Sequence, residues 1–188
     1  MRYAHLEICR RPAGFTLVEL LVTIVVLSIL LGLAVPSFRT FMQNDQQWVQ
    51  QNNLVLALNA ARSEAIKQDS SVQVCSSTDG ATCTNTPWDQ GWIVLPTVNP
   101  FNPAARPKPL QVVGALPTGT TLNEAGGNLA LTFNSSGVLG APATQVAFKM
   151  CDSRGAAHAR YLEVNLMGRV VASPTVGQKL NGTALTCP

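Results

Sequence analysis

The sequence predicts an α+β fold in which one long N-terminal helix packs on antiparallel β-structure, and three observations predict it. Up to residue 70 there are only two prolines (Pro12, Pro36) and two glycines (Gly14, Gly32), whereas residues 71–188 hold the other ten prolines and twelve glycines. Between Ser37 and Gln68 nothing breaks a helix, and Leu54, Leu58, Ala61 and Ala65 recur at helical spacing, which gives the segment one face to lay on a sheet. After Ser70 the pattern changes to short β-branched runs separated by Gly, Pro, Asn or Ser.

A chain of 188 residues has room for one ordinary domain. Hydrophobic residues make up 46%, which argues against disorder, but charged residues are only 12%, about half the usual share. The polar surface must then be built from Asn, Gln, Ser and Thr, as suits an extracytoplasmic protein. A net charge of +3 is too small to imply nucleic-acid binding by itself.

The first element is an apolar rod. Arg2, Arg10 and Arg11 precede a run from Phe15 to Val35 that is apolar except for Thr16, Glu19, Thr23, Ser28 and Gly32. At helical rise it extends about 32 Å, the thickness of bilayer hydrocarbon. The basic residues before it keep the N-terminus cytoplasmic and place the rest outside. A cleaved signal peptide, with Gly32-Leu33-Ala34 as its cleavage site, and a simple anchor both leave Glu19 unexplained. An acid in the membrane interior costs about 2.5 to 3.5 kcal/mol and needs a partner. Pro36 lacks an amide hydrogen, so the rod is expected to kink or briefly melt there. Between Arg39 and Asn53 the sequence is mostly Gln, Asn and Asp, and it reads as a solvated face or a contact with neighbouring subunits.

Seven strands are expected: 71–75, 91–95, 110–113, 129–133, 145–151, 160–166 and 169–172. Leu166-Met167-Gly168-Arg169 reads as a tight hairpin and Asn134-Ser135-Ser136-Gly137 as a turn. Residues 96–109, with five prolines, read as a surface loop of partly polyproline character.

Cys9 precedes the rod, leaving Cys75, Cys83, Cys151 and Cys187 in the exported part, an even number that implies disulfides. Four cysteines allow three connectivities. Cys75–Cys83 would close a short loop and Cys151–Cys187 would pin the C-terminal tail, so these pairs are favoured. The spacings fit no common zinc pattern, and no metal or other cofactor is expected. Nor is an enzyme. Asp152, Ser153 and His158 hold the letters of a triad, but there is no Gly-x-Ser-x-Gly turn and no phosphate-binding loop.

Gly14-Phe15-Thr16-Leu17-Val18-Glu19 resembles the class III leader of type IV prepilins and type II secretion pseudopilins. The resemblance implies cleavage after Gly14 by a prepilin peptidase, N-methylation of Phe15, and pairing of the Glu19 carboxylate with the N-terminal amine of a neighbouring subunit during assembly. The stretch from Cys75 to Cys83, followed by Trp88-Asp89-Gln90-Gly91-Trp92, is similar to the soluble domain of the GspH, FimT and FimU group, whose fold is a helix on two antiparallel sheets. It implies residues 1–14 as leader, 15–35 as transmembrane and assembly helix, 36–70 as its amphipathic continuation and 71–188 as a periplasmic head. The two tryptophans have ordinary packing roles in this reading, Trp92 toward the core and Trp88 over the short disulfide loop.

The implied function is that of a minor pilin in type IV pilus assembly, with a type II secretion pseudopilin and a DNA-binding minor pilin for DNA uptake in natural transformation as the alternatives. Its partners would be other minor and major pilins, the prepilin peptidase and an inner-membrane assembly platform. Some relatives in the FimT branch bind DNA through Gly-Arg-x-Arg. Here Gly168-Arg169-Val170-Val171 keeps the first arginine only, and Arg154, Arg160, Arg169 and Lys179 are the residues that would meet phosphates.

Overall fold

The computed structural model describes residues 14–98 and 106–187. Two compact units meet between Gln43 and Asn44.

From Leu17 onward the first unit is helical. Helix α1, Leu17–Lys67, begins here and runs without a break through Pro36. The melted turn expected at the proline does not form. Gly32 stands four residues before Pro36, where a proline ring crowds the preceding turn, and the Thr40 hydroxyl donates to the Pro36 carbonyl oxygen (3.2 Å).

The second unit contains the rest of α1 and two antiparallel sheets. One sheet has five strands in the order β3-β2-β1-β5-β6: β1 Val72–Ser76, β2 Trp92–Pro96, β3 Gln111–Val113, β5 Ala130–Phe133 and β6 Leu139–Ala141. The other has four, in the order β4-β7-β8-β9: β4 Thr121–Glu124, β7 Val146–Cys151, β8 Arg160–Val164 and β9 Val170–Ala172. The stripe Leu54, Ala57, Leu58, Ala61 and Ala65 is fully buried, because these residues share one helical face. Both sheets face it with alternating residues, Val72 and Val74 on β1, Leu131 and Phe133 on β5, Val146 and Phe148 on β7, Leu162 and Val164 on β8.

All seven expected strands form, within one or two residues of the expected ends. Two others were not legible. β4 reads Thr-Leu-Asn-Glu, with two strand-averse residues, and owes its conformation to pairing with β7, Leu122 opposite Met150 and Asn123 opposite Lys149. β6 is three residues long with a glycine at its centre. β8 ends at Val164 because Asn165 opens the turn, accepting the Gly168 amide on its carbonyl and the Arg169 amide on Oδ1.

Two readings of side chains change. The Gln-rich part of α1 is not a solvated face throughout. Gln47 and Gln51 are buried, and Gln51 Nε2 donates to the Tyr161 carbonyl oxygen (3.1 Å), because the same face that carries Leu54 and Leu58 continues a turn toward the N-terminus. Trp88, expected over the short disulfide loop, is buried. It enters the main core, where its ring meets Phe148 edge-on at 5.0 Å and its indole nitrogen donates to the Asn128 carbonyl (2.8 Å).

The two sheets are stitched at one corner. The Leu139 amide donates to the Leu166 carbonyl oxygen (3.0 Å), and Arg62 Nε from the helix donates to the Gly137 carbonyl (2.9 Å). Gly168, at φ +73°, touches that same carbonyl, and a Cβ there would collide with it. The predicted loop over 96–109 lies partly outside the described residues. Pro96 closes β2.

Candidate functional site

The site is built on the first turns of α1. Gly14, Phe15 and Thr16 precede the helix, and all three are exposed. Thr16 is its cap: the hydroxyl accepts the Glu19 backbone amide at 3.2 Å, satisfying one of the donors that a helix start leaves without a partner. The Thr-x-x-Glu spacing puts the Glu19 carboxylate in the first turn, where the helix dipole favours negative charge.

From Phe15 to Val35 the large apolar side chains are 47% to 81% exposed, and an 18-residue stretch of α1 has a mean hydropathy of 2.7. α1 is therefore long and apolar enough to cross a membrane. Its hydroxyls are satisfied locally. Thr23 donates to the Leu20 carbonyl (2.8 Å) and Ser28 to the Val25 carbonyl (2.7 Å), so neither needs water. Glu19 has no such solution. Among the described residues it has no ion-pair partner, and the first basic residue after it, Arg39, lies about 30 Å along the helix.

In the second unit both expected disulfides are present, Cys75–Cys83 with Cα atoms 5.6 Å apart and Cys151–Cys187 at 6.0 Å. The short loop between the first pair is organised by Asp79. Its carboxylate accepts the Thr82 hydroxyl (2.7 Å), the Thr82 and Ala81 amides (2.9 Å each) and the Ser77 hydroxyl (2.9 Å), and these bonds hold it well below the usual carboxylate range. The second disulfide holds the tail over the outer face of the four-stranded sheet, where Leu185 packs with Ala159 and Tyr161.

The four basic residues read as phosphate contacts are separated by role. Arg154 is ion-paired to Asp152 at 2.6 Å and donates to Asn44 Oδ1 at 2.7 Å. Arg160 is half-buried, and burial first, then the neighbouring Arg154 charge, lowers its pKa. Arg169 is exposed at the β8–β9 turn and Lys179 is exposed in the tail. Sequence reasoning missed the structural roles of Arg62, Gln51 and Glu124. Only Glu124 had a local signal, the Gly126-Gly127 turn just after it, whose Gly126 amide and the following Asn128 amide its carboxylate accepts at 2.9 and 2.5 Å.

An exposed apolar helix opening on Gly-Phe-Thr and a single acid, continuous with a helix-on-sheets head, defines a pilin-like filament subunit. The chain belongs to the family described as type II transport protein GspH, which it matches over residues 50–168, and residues 9–35 match the prokaryotic N-terminal methylation motif. It thereby falls among the minor pilins and pseudopilins. Two crystal forms of the type IV minor pilin FimU of Pseudomonas aeruginosa (strain PAO1) are similar to it. One is 24% identical with a TM-score of 0.56, covering 71% of this chain and 92% of that one. The other is 25% identical with a TM-score of 0.51, covering 65% and 89%. The minor pseudopilin EpsH of the type 2 secretion system of Vibrio cholerae is 14% identical over 68% of this chain and 95% of that one, with a TM-score of 0.47. No curated protein matches.

Proposed function

We infer that this chain is a minor pilin of the type IV pilus, held in the bacterial inner membrane with its head in the periplasm until it is incorporated into a filament or its tip-priming complex. Residues 1–14 are the leader, removed between Gly14 and Phe15 by a prepilin peptidase, after which Phe15 is N-methylated. Residues 15–35 span the membrane, 36–70 continue the helix and 71–188 form the head. An inner-membrane platform then inserts the subunit among other minor and major pilins.

The observation that carries this reading is Glu19, an acid in an apolar span with no cation within about 30 Å along its own helix. No basic side chain of its own helix is within reach to act as its partner. The amine that cleavage exposes on Phe15 of a neighbouring subunit supplies one, and the pairing offsets the cost of burying both charges. The family is one of structural subunits, and no catalytic step is assigned to this chain.

The likeness to FimU at 25% identity favours the pilus, and the family's description as a type II transport protein favours the secretion pseudopilus as a second reading. A DNA receptor would have fewer free charges than the sequence offers, since Arg154 is ion-paired and Arg160 half-buried. In a strain lacking the gene, loss of sheared surface fibres with normal secretion supports the pilus, and the reverse supports the secretion system. Mass analysis of membrane-extracted protein tests the processing: a start at methylated Phe15 is expected, and a start at Val35 contradicts it.

A further inference from the structure

Helix α1 keeps an apolar side past Val35, where its apolar span ends. In the next two turns Phe38 and Phe41 are 63% and 64% exposed and Met42 is 41% exposed. At 3.6 residues per turn these three share one side of the helix within about 100°, and Ser37, Thr40 and Gln43 take the other. Arg39 stands beside the apolar side, exposed, with no ion-pair partner among the described residues and no acid within five positions on either side.

Depth follows from the helix rise. α1 is unbroken through Pro36, so at 1.5 Å per residue Phe38, Arg39 and Phe41 lie about 4.5, 6 and 9 Å beyond Val35. The headgroup layer outside the hydrocarbon is about 5 to 7.5 Å deep on each side. Arg39 therefore falls at the level of lipid phosphates, with one ring below it and one above. Helical side chains lean toward the N-terminus of their helix, which here is the side of the apolar span, so Phe38, Phe41 and Met42 lean back toward the acyl chains. An arginine at that level lays its carbons on apolar surface and keeps its guanidinium among polar groups.

We propose that Phe38, Arg39, Phe41 and Met42 form an interfacial anchor in the periplasmic leaflet while the chain is held in the membrane, the apolar side chains seated at the boundary of acyl chains and headgroups and the Arg39 guanidinium on lipid phosphate. The inference rests on the reading that residues 15–35 span the bilayer. Lipid is the occupant because the patch continues that span on one unbroken helix, and water there would leave three large apolar side chains hydrated. The anchor fixes the register of the whole rod. A span of about 32 Å in hydrocarbon about 30 Å thick has almost no slack, so holding Val35 at the outer boundary puts Phe15 at the cytoplasmic one and Glu19 about 6 Å inside it. The Gly14–Phe15 bond and the Glu19 carboxylate are thus placed from the opposite end of the span.

The test uses the full chain in vesicles of phosphatidylethanolamine and phosphatidylglycerol, doped with a phospholipid that carries a nitroxide quencher on its headgroup or at mid-chain. A reporter is introduced as Phe38→Trp or as Val25→Trp, and its emission is read as the difference from wild type, whose Trp48, Trp88 and Trp92 form the background. Phe38→Trp is expected to lose emission to the headgroup label and keep it with the mid-chain label, and Val25→Trp to do the opposite. Combining Val25→Trp with Phe38→Ser, Arg39→Gln and Phe41→Ser is expected to shift its quenching from the mid-chain label toward the headgroup label as the register is lost. Equal quenching of Phe38→Trp by both labels, or by neither because water or a second copy covers the residue, overturns the anchor while Val25→Trp still reports a span. So does a Val25→Trp profile that the three added substitutions leave unchanged. No mid-chain quenching of Val25→Trp in the otherwise native chain overturns the membrane reading itself, and the anchor with it.

Discussion

Removing the Cys151–Cys187 disulfide, as Cys151→Ser/Cys187→Ser, is expected to destabilise the head more than removing Cys75–Cys83. The two bonds close segments of 36 and 8 residues. Chain-entropy arithmetic gives about 3.8 kcal/mol for the longer and about 2.5 for the shorter, a difference of about 1.3 set by the ratio of loop lengths. Packing adds in the same direction. The tail's main apolar anchor is Leu185 against Ala159 and Tyr161, whereas the short loop keeps the Asp79 hydrogen bonds after its sulfur bridge is gone. Urea unfolding of the full chain in mild detergent, followed by tryptophan fluorescence, reads the difference because Trp88 and Trp92 are buried in the core. With an m-value of about 2 kcal/mol/M the midpoint of the tail variant falls by about 2 M, and that of the loop variant by about 1.2 M. A larger loss from the short loop, or none from the tail, would refute the loop-closure reasoning.

Other substitutions test other parts of the fold. Gly168→Ala combines a backbone at φ +73° with a collision against the Gly137 carbonyl, and should cost about 2 kcal/mol or more in thermal unfolding. Phe148→Ala removes a core ring and its edge-on contact with Trp88, and should cost about 3 to 5 kcal/mol by the same assay. Asp79 has a depressed pKa in the folded state, so its stabilising effect is present above its ordinary value of 3.8 and is lost as pH falls through the lower folded value. The stability difference between wild type and Asp79→Asn should therefore be flat near neutral pH and shrink below about pH 4, and a difference that grows on acidification contradicts the assignment.

How much was legible in the sequence depends on whether the cause was local. Helix α1 could be read because its signals lie within a few residues of each other: the Thr16 cap, the uninterrupted apolar run and the buried stripe from Leu54 to Ala65. The disulfide pairs followed from spacing alone. β4 and β6 could not be read, since Thr-Leu-Asn-Glu and Leu-Gly-Ala become strands only when β7 and β5 present their edges. The partners of Trp88 could not be read for the same reason: Asn128 and Phe148 lie far along the chain. Gln47 and Gln51 looked like surface because polarity usually marks it, and only the register of the helix on the sheets buries them. At the start of α1 the residues of the proposed assembly site, Gly14, Phe15 and Glu19, were legible from their spacing. What the structure adds is the exposure of the large apolar side chains from Phe15 to Val35 and, among the described residues, the lack of an ion-pair partner for Glu19.

The most direct test of the account is the fate of Glu19→Val in cells that lack the native gene. Filament incorporation is measured in sheared fibres at matched membrane levels, with cleavage at Phe15 verified. The account predicts that the variant is processed and accumulates in the membrane but is lost from the fibres, because the acid that pairs with a neighbour's amine is missing. Incorporation at the native level would contradict it.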